Sequence, residues 1–115
     1  MDSKQIKYSK PLIQNINHVD LGNRISVAEN PGDIWIRVDT VGMPPDTKVA
    51  VFFSTQWGSH DHTIGEDNPG YVDTRIEHRR FENQIGSTVI AHYQVKLPSD
   101  PDSIKSEDTV ANVVK

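Results

Sequence analysis

Two histidines on either side of an aspartate, His60-Asp61-His62, are the residues whose types and spacing best suit chemistry in this sequence. In an extended strand, residues i and i+2 point to the same side, so the two imidazoles could share a divalent metal ion. Such a site needs a third ligand, either from the acids that follow or from a distant part of the fold. The candidates for that ligand are Glu66, Asp67, His78 and His92.

Catalysis would need an activated group, either a serine beside a histidine base or two carboxylates with separated pKa values. The sequence contains no Gly-x-Ser-x-Gly, His-Glu-x-x-His or glycine-rich phosphate loop that would fix such geometry. A solvated polar loop accounts for the two histidines without any ligand, and we favour that interpretation over a metal site. We therefore expect no enzyme activity, no metal and no cofactor.

Aromatic residues offer a different kind of site, because exposed rings anchor protein interfaces and stack on sugars. Trp57 follows a predicted strand and stands beside Gly58 and a polar segment, where a tryptophan has little reason to be buried. Trp35 lies inside a predicted strand between two isoleucines, and we expect it in the core. The predicted ligand-binding surface, for a protein or a glycan, comprises Trp57, His60, His62 and Tyr71.

The charge balance limits the choice of partner. The chain has 12 Lys and Arg against 16 Asp and Glu, a formal net charge of -4. No basic surface is therefore available to bind the phosphates of nucleic acid. Residues 1–10 contain three lysines but no apolar run, so we expect neither a signal peptide nor membrane insertion.

Alternation of apolar and polar residues with a period of two dominates the chain, and no stretch sustains helical spacing. The sequence therefore predicts an all-β fold. Residues 87–97 give the clearest strand, and residues 48–54 predict a central strand, since both of its faces carry apolar side chains. Further extended segments are predicted at residues 11–16, 24–28, 34–41, 71–77 and 106–114.

Turn-forming residues separate these segments. Glycine, proline, asparagine and aspartate are frequent over residues 58–70, which we interpret as a loop with room for a short strand near Thr63. Residues 79–86 predict a helical turn that places Phe81 and Ile85 on the core. The chain is long enough for one hydrophobic core, so we expect a flexible segment over residues 1–9 and one domain over residues 10–115.

Several short motifs carry a family resemblance. They are Lys-Pro-Leu-Ile at 10–13, the turn Val-Gly-Met-Pro-Pro-Asp-Thr at 41–47, Lys-Val-Ala-Val-Phe-Phe at 48–53 and Gly-Ser-Thr-Val-Ile-Ala-His-Tyr-Gln-Val at 86–95. Ser103 or Ser106 then leads into a last valine-rich strand. With these motifs the chain resembles the immunoglobulin-like repeat domains of large bacterial surface proteins, including the invasin- and intimin-like adhesins.

The resemblance implies an immunoglobulin-like β-sandwich of about seven antiparallel strands. It also implies a non-catalytic role in adhesion, ligand display or spacing, at the cell surface or in a secreted protein if this chain is part of a longer exported one. A small carbohydrate-binding, lectin-like domain is the alternative function. It would require Trp57 and Tyr71 to be exposed together on one shallow face.

Overall fold

The computed structural model describes residues 7–54 and 58–115, and within these ranges it is built from nine strands and one 3₁₀ turn. This confirms the all-β class predicted from the sequence. The 3₁₀ turn is His78–Arg80. The strands are β1 Leu12–Gln14, β2 Arg24–Ser26, β3 Ile34–Asp39, β4 Lys48–Phe53, β5 His60–Thr63, β6 Tyr71–Ile76, β7 Thr88–Lys96, β8 Ile104–Lys105 and β9 Thr109–Val114.

The strands form two sheets. The small sheet has the order β1-β3-β6, and the large sheet has the order β2-β9-β7-β4-β5, with β8 paired to one end of β7. Buried side chains from both sheets belong to one hydrophobic cluster. The architecture is therefore sandwich-like, with the core between the sheets.

The number and direction of the strands differ from the expected seven antiparallel ones. The described residues contain nine strands. In addition, β2 runs parallel to β9, with Arg24 opposite Asn112 and Ser26 opposite Val114. The parallel pair arises because the chain leaves the small sheet after β1 and joins the edge of the large sheet at β2.

Side chains along the central strands alternate between inward and outward positions, and the inward ones form the core. On β7, Val89, Ala91, Tyr93 and Val95 are all buried, as the sequence predicts. The strand β4 lies between β5 and β7, which confirms its predicted central position. The inward side chains of β3 are Ile34, Ile36 and Val38, each of them fully buried.

Trp35 does not belong to the core, contrary to our expectation. It alternates with Ile34 and Ile36, so its side chain is on the opposite, outer face of β3 and is half-buried. We predicted a core position from the size and apolar character of tryptophan and did not apply the alternation of inward and outward side chains along the strand. The period decides, because one strand cannot turn three successive side chains toward the same core.

The polar segment over residues 58–70 is more ordered than the predicted loop. Its residues His60 to Thr63 form β5, which pairs antiparallel with β4, Val49 standing opposite His62. The four residues have few apolar atoms to bury, so the pairing with β4 determines their extended conformation. The sequence signal of a strand was therefore confined to the neighbourhood of Thr63.

The predicted helical turn after β6 exists, but one of its two core residues was assigned wrongly. Phe81 is fully buried, as predicted, whereas the side chain of Ile85 is 49% exposed. The turn is a single 3₁₀ turn that ends at Arg80 and does not continue to residue 86. Four residues further along, Ile85 no longer shares a helical face with Phe81.

The part of the predicted N-terminal segment that is described contacts the domain. The Tyr93 hydroxyl donates a hydrogen bond to the Ser9 carbonyl at 2.8 Å, and the Glu107 N–H donates to the Tyr8 carbonyl at 3.1 Å. Residues 1–6 lie outside the described residues. Within the described part of the chain, no helix is long and apolar enough to span a membrane.

Candidate functional site

Of the residues predicted to bind a ligand, the three that the structure describes lie in two different places. His60 and His62 are on β5, with half-buried side chains. Tyr71 is the first residue of β6, and its side chain is 41% exposed. Trp57 lies outside the described residues, so its joint exposure with Tyr71 stays a prediction.

The two histidines point into the side of the sandwich where the sheet edges β5 and β6 face each other. His62 Nε2 is 2.8 Å from the Thr74 hydroxyl on β6. His60 Nε2 is 2.8 Å from Arg80 Nη1, and Arg80 Nη2 also donates to the Phe53 carbonyl at 3.1 Å. We call His60, His62, Thr74 and Arg80 the edge cluster.

The edge cluster is arranged to join the sheets. Burial is the largest cause that lowers the pKa of both His60 and His62, which favours their neutral forms. The Nε2 atom of each ring already faces a hydrogen-bond partner. No group of three or more His, Asp or Glu side chains converges on a metal-binding geometry among residues 7–54 and 58–115.

Tyr71 belongs to a second group of side chains, on the outer face of the small sheet. Thr74 faces inward and is buried, so Tyr71 is on the opposite face of β6 from the residue that His62 contacts. The structure therefore does not bring Tyr71 to the histidines. We call the second group the outer-face cluster, and it consists of Gln14, His18, Asp20, Trp35, Arg37, Tyr71 and Asp73.

Arg37 is the centre of the outer-face cluster. Its Nε and Nη2 atoms donate to both carboxylate oxygens of Asp73, at 2.8 and 2.9 Å. The guanidinium carbon also lies 4.1 Å from the centre of the Tyr71 ring. The hydrogen bond with Asp73 is the largest cause that raises the pKa of Arg37, which keeps the side chain charged.

Trp35 and His18 form the other aromatic part of the cluster. Their rings stack with centroids 5.0 Å apart and planes at 23°, and Trp35 Nε1 donates to the Ile16 carbonyl at 3.3 Å. His18 has a positive φ of 63°, which turns its side chain back over β3. Its Nδ1 is 3.1 Å from Gln14 Oε1.

The pairing of three strands fixes these side chains in space. Arg37 stands opposite Asp73 in the β3–β6 pair, and Gln14 stands opposite Trp35 in the β1–β3 pair. Side chains opposite each other on one face are close neighbours, so the backbone register brings the cluster together. Gly70 directly precedes β6. Its φ of 100° favours glycine, and an added Cβ would lie 3.1 Å from Val41 Cγ2.

The chain matches no protein-family model, no curated protein and no solved structure. Only its own residues bear on its function. The outer-face cluster combines aromatic rings, a fixed guanidinium and paired polar groups on rigid strands. The chemistry of such a surface suits recognition of a ligand by shape and charge, because its polar groups are already oriented.

Most residues of the outer-face cluster were not predicted from the sequence, although the strand period gives one signal for them. If Ile34, Ile36 and Val38 face the core, the alternating residues Trp35 and Arg37 must face outward. The same rule applied to β6 would have set Asp73 beside Tyr71. The pairing of Arg37 with Asp73 could not be found this way, since the sequence does not reveal which two strands are neighbours.

Proposed function

We propose that this chain is a non-catalytic binding module with an immunoglobulin-like fold, part of a bacterial cell-surface or secreted protein. We further propose that its ligand contacts the outer-face cluster of the small sheet. The family resemblance of the sequence motifs supports the first statement. The geometry of the cluster supports the second.

The order of the strands supports an immunoglobulin-like topology. The chain crosses between the sheets from β3 to β4, from β5 to β6 and again from β6 to β7. In that fold, strands A, B and E share one sheet, and strands C, F and G share the other, with C′ beside C in the variable type. The order β1-β3-β6 corresponds to A, B and E, and β9-β7-β4-β5 corresponds to G, F, C and C′.

The positions at which the chain enters and leaves the domain support a spacer role. Tyr8 lines a surface cleft together with Leu97, directly after the end of β7. At the other end of β7, the Gly86 N–H donates to the Val113 carbonyl at 2.9 Å. Entry and exit therefore lie near opposite ends of β7, an arrangement that suits domains linked end to end.

The observation that carries the binding proposal is the way Arg37 is held between Asp73 and Tyr71. Tryptophan, tyrosine and arginine dominate the binding energy of many protein interfaces. Here Trp35, Arg37 and Tyr71 share one outer face, and Arg37 loses little further freedom on binding because Asp73 already fixes it. A protein ligand is therefore the favoured partner.

A carbohydrate-binding, lectin-like function is the second candidate. The carboxylates of Asp20 and Asp73 belong to the same outer-face cluster as the rings of Trp35 and Tyr71. A few oriented polar groups beside aromatic rings are also what a sugar needs, with hydroxyls on the polar groups and C–H faces on the rings. The two candidates share one surface, so one experiment separates them.

The experiment uses purified extracellular-matrix glycoproteins, each immobilised in its native form and after enzymatic deglycosylation. Binding of the full 115-residue chain is measured by biolayer interferometry. The variants are Tyr71→Ala and Trp35→Ala in the outer-face cluster. The control is Ile90→Ala, which removes a side chain that is 36% exposed on the large sheet.

We expect binding that survives deglycosylation and that weakens more than about tenfold in each cluster variant, which corresponds to about 1.4 kcal/mol. The Ile90→Ala control should bind like the unmodified chain. Loss of binding after deglycosylation, with the same variant pattern, would favour the lectin-like function. Equal binding by the cluster variants and the control, or no binding to either form, would contradict the proposed surface.

A further inference from the structure

We propose that the edge between β5 and β6 is an acid-sensitive closure, in which neutral His60 holds the edge shut through Arg80 and protonation of His60 opens it. This inference does not depend on the proposed ligand-binding function. It rests on the hydrogen bonds of the edge cluster and on the position of that cluster between the two sheets.

Two side-chain hydrogen bonds cross from β5 to the segment that contains β6 and the 3₁₀ turn. His62 on β5 contacts Thr74 on β6, with 2.8 Å between Nε2 and Oγ1. His60 on β5 contacts Arg80 in the 3₁₀ turn, with 2.8 Å between Nε2 and Nη1. Arg80 also reaches the end of β4 through the Phe53 carbonyl. The edge cluster therefore joins three consecutive strands across the open side of the sandwich.

The hydrogen bond between His60 and Arg80 can form only when the His60 ring is neutral and its Nε2 atom has no proton. A guanidinium has N–H donors and no acceptor, so His60 Nε2 must accept through its lone pair. The ring proton of His60 is then on Nδ1. A second proton would occupy Nε2, remove the acceptor and leave two cations at the present 2.8 Å contact.

Some charged groups around His60 favour its protonation, and others oppose it. Arg80 opposes protonation of His60, whereas Asp61 on the same strand and Glu77 before the 3₁₀ turn favour it. Arg79 and Glu77 act on Arg80 itself with opposite signs. Burial opposes protonation more than any of these charges, so the pKa of His60 is lowered.

His62 responds in the same direction as its neighbour. Burial is the largest cause that lowers its pKa, and the nearby His60 ring lowers it further. Asp61 and Asp73 act the other way. Protonation affects the two contacts differently. The Thr74 hydroxyl can accept a hydrogen bond from a protonated His62, whereas Arg80 has only donors, so the His60–Arg80 contact is the one that protonation breaks.

The strand held by this cluster has little else to keep it in place. Along β5, half-buried residues alternate with exposed ones, and the strand pairs with β4 over four residues at the edge of the large sheet. Short edge strands with little buried apolar surface open locally at a low cost in free energy. Release of the His60–Arg80 contact should therefore free β5 and expose the edge of β4.

The test compares amide hydrogen exchange at pH 7.5 and pH 5.0 in the full chain, with rates corrected for the intrinsic effect of pH. We expect the protection of the β5 amides to fall several-fold at pH 5.0, and by no more than about 30-fold, because pH 5.0 lies about 1.5 pH units below the ordinary pKa of histidine. Protection in the middle of β7 should change much less. Equal β5 protection at the two pH values would overturn the proposal.

The informative variant is His60→Gln, because the glutamine carbonyl can accept from Arg80 and does not titrate. It should keep β5 protected at both pH values. The matched control is His92→Gln, which removes another half-buried histidine, on the outer face of β7. The control should still open β5 in acid. Opening of β5 in acid by the His60→Gln variant would contradict the assigned trigger.

A second measurement needs no variant. Nitrogen-15 chemical shifts of the imidazole ring distinguish the two neutral tautomers of histidine. We expect His60 at pH 7.5 to have its proton on Nδ1 and a free lone pair on Nε2. A proton on Nε2 in the neutral form would overturn the proposal even if the variants fail to fold.

Discussion

Arg37 and Asp73, 36 residues apart in the chain, face each other across β3 and β6 and share two parallel hydrogen bonds of 2.8 and 2.9 Å. The pair lies on the outer face of the small sheet, with the Tyr71 ring against the guanidinium. It therefore joins two strands and orients an aromatic side chain at the same time. The surface depends on the planar shape of arginine as much as on its charge.

Replacement of Arg37 by lysine tests this dependence. Lysine keeps the charge but cannot donate two parallel hydrogen bonds or stack flat on Tyr71. We expect the melting temperature, measured by circular dichroism, to fall by a few degrees. The matched control is Arg75→Lys, at an exposed arginine that pairs with Asp33, and it should change the melting temperature less. An equal effect of both substitutions would contradict the special role of Arg37.

The buried hydroxyl of Tyr93 anchors the N-terminal segment. It donates to the Ser9 carbonyl at 2.8 Å. The substitution Tyr93→Phe should lower the free energy of unfolding by about 1 kcal/mol, the usual net value of one hydrogen bond. Trypsin should also cleave after Lys7, two residues before Ser9, faster than in the unmodified chain. Tyr71→Phe, at an exposed ring, is the control and should change neither result.

Tyr93 also predicts how the chain responds to alkali. Burial raises its pKa to about 12 from the ordinary tyrosine value of 10.0. The unfolded chain therefore loses this proton at a lower pH than the folded one, and stability present below pH 10 is lost as the pH rises through about 12. Urea unfolding at pH 8 and at pH 11 should show that the free energy of unfolding falls with pH, and that it falls less in the Tyr93→Phe variant than in the unmodified chain. A loss of the same size in both would contradict the assignment to Tyr93.

The turn after β6 offers a test of the core. Phe81 is fully buried, whereas Ile85 is 49% exposed. The substitution Phe81→Ala should lower the free energy of unfolding by about 3 to 5 kcal/mol, through lost burial and the cavity left behind. Ile85→Ala should change it by less than about 0.5 kcal/mol, as is usual at the surface. Urea titration measures both, and similar losses would place Ile85 in the core after all.

The sequence correctly predicted the strands whose own residues alternate between apolar and polar types. Val89, Ala91, Tyr93 and Val95 alternate with polar residues, and all four are buried. By contrast, the extended conformation of β5 depends on pairing with β4, since its own four residues are polar. The residues of one segment do not reveal which strand it pairs with. The segment around His60 was therefore predicted mainly as a loop.

The candidate sites show the same limit. His60 and His62 were recognised from their spacing, but their partners Thr74 and Arg80 come from a different strand and a turn. Trp35 was misplaced although the strand period contained the answer. Residue types identify groups able to interact, whereas strand register decides which of them meet.

His92 gives a prediction for acid conditions that is separate from the edge cluster. Its ring stacks on Phe52, the residue opposite it on β4, with centroids 4.7 Å apart. Burial is the largest cause that lowers its pKa below the ordinary histidine value of 6.5, and the charge of Lys105 lowers it further, whereas Asp108 raises it. The unfolded chain therefore takes up this proton first, and the stability contributed by neutral His92 is lost as the pH falls below 6.5.

Melting temperatures at pH 7.5 and pH 5.0 measure this loss. We expect the difference between them to be smaller in His92→Gln than in the unmodified chain, because the glutamine side chain does not titrate. Gln94→Ala, on the same face of β7, is the control, and it should shift both melting temperatures equally. Because His60 and His62 also have a lowered pKa, part of the acid loss should persist in His92→Gln. A pH difference that is identical in His92→Gln and the unmodified chain would show that the stacked ring does not contribute to acid sensitivity.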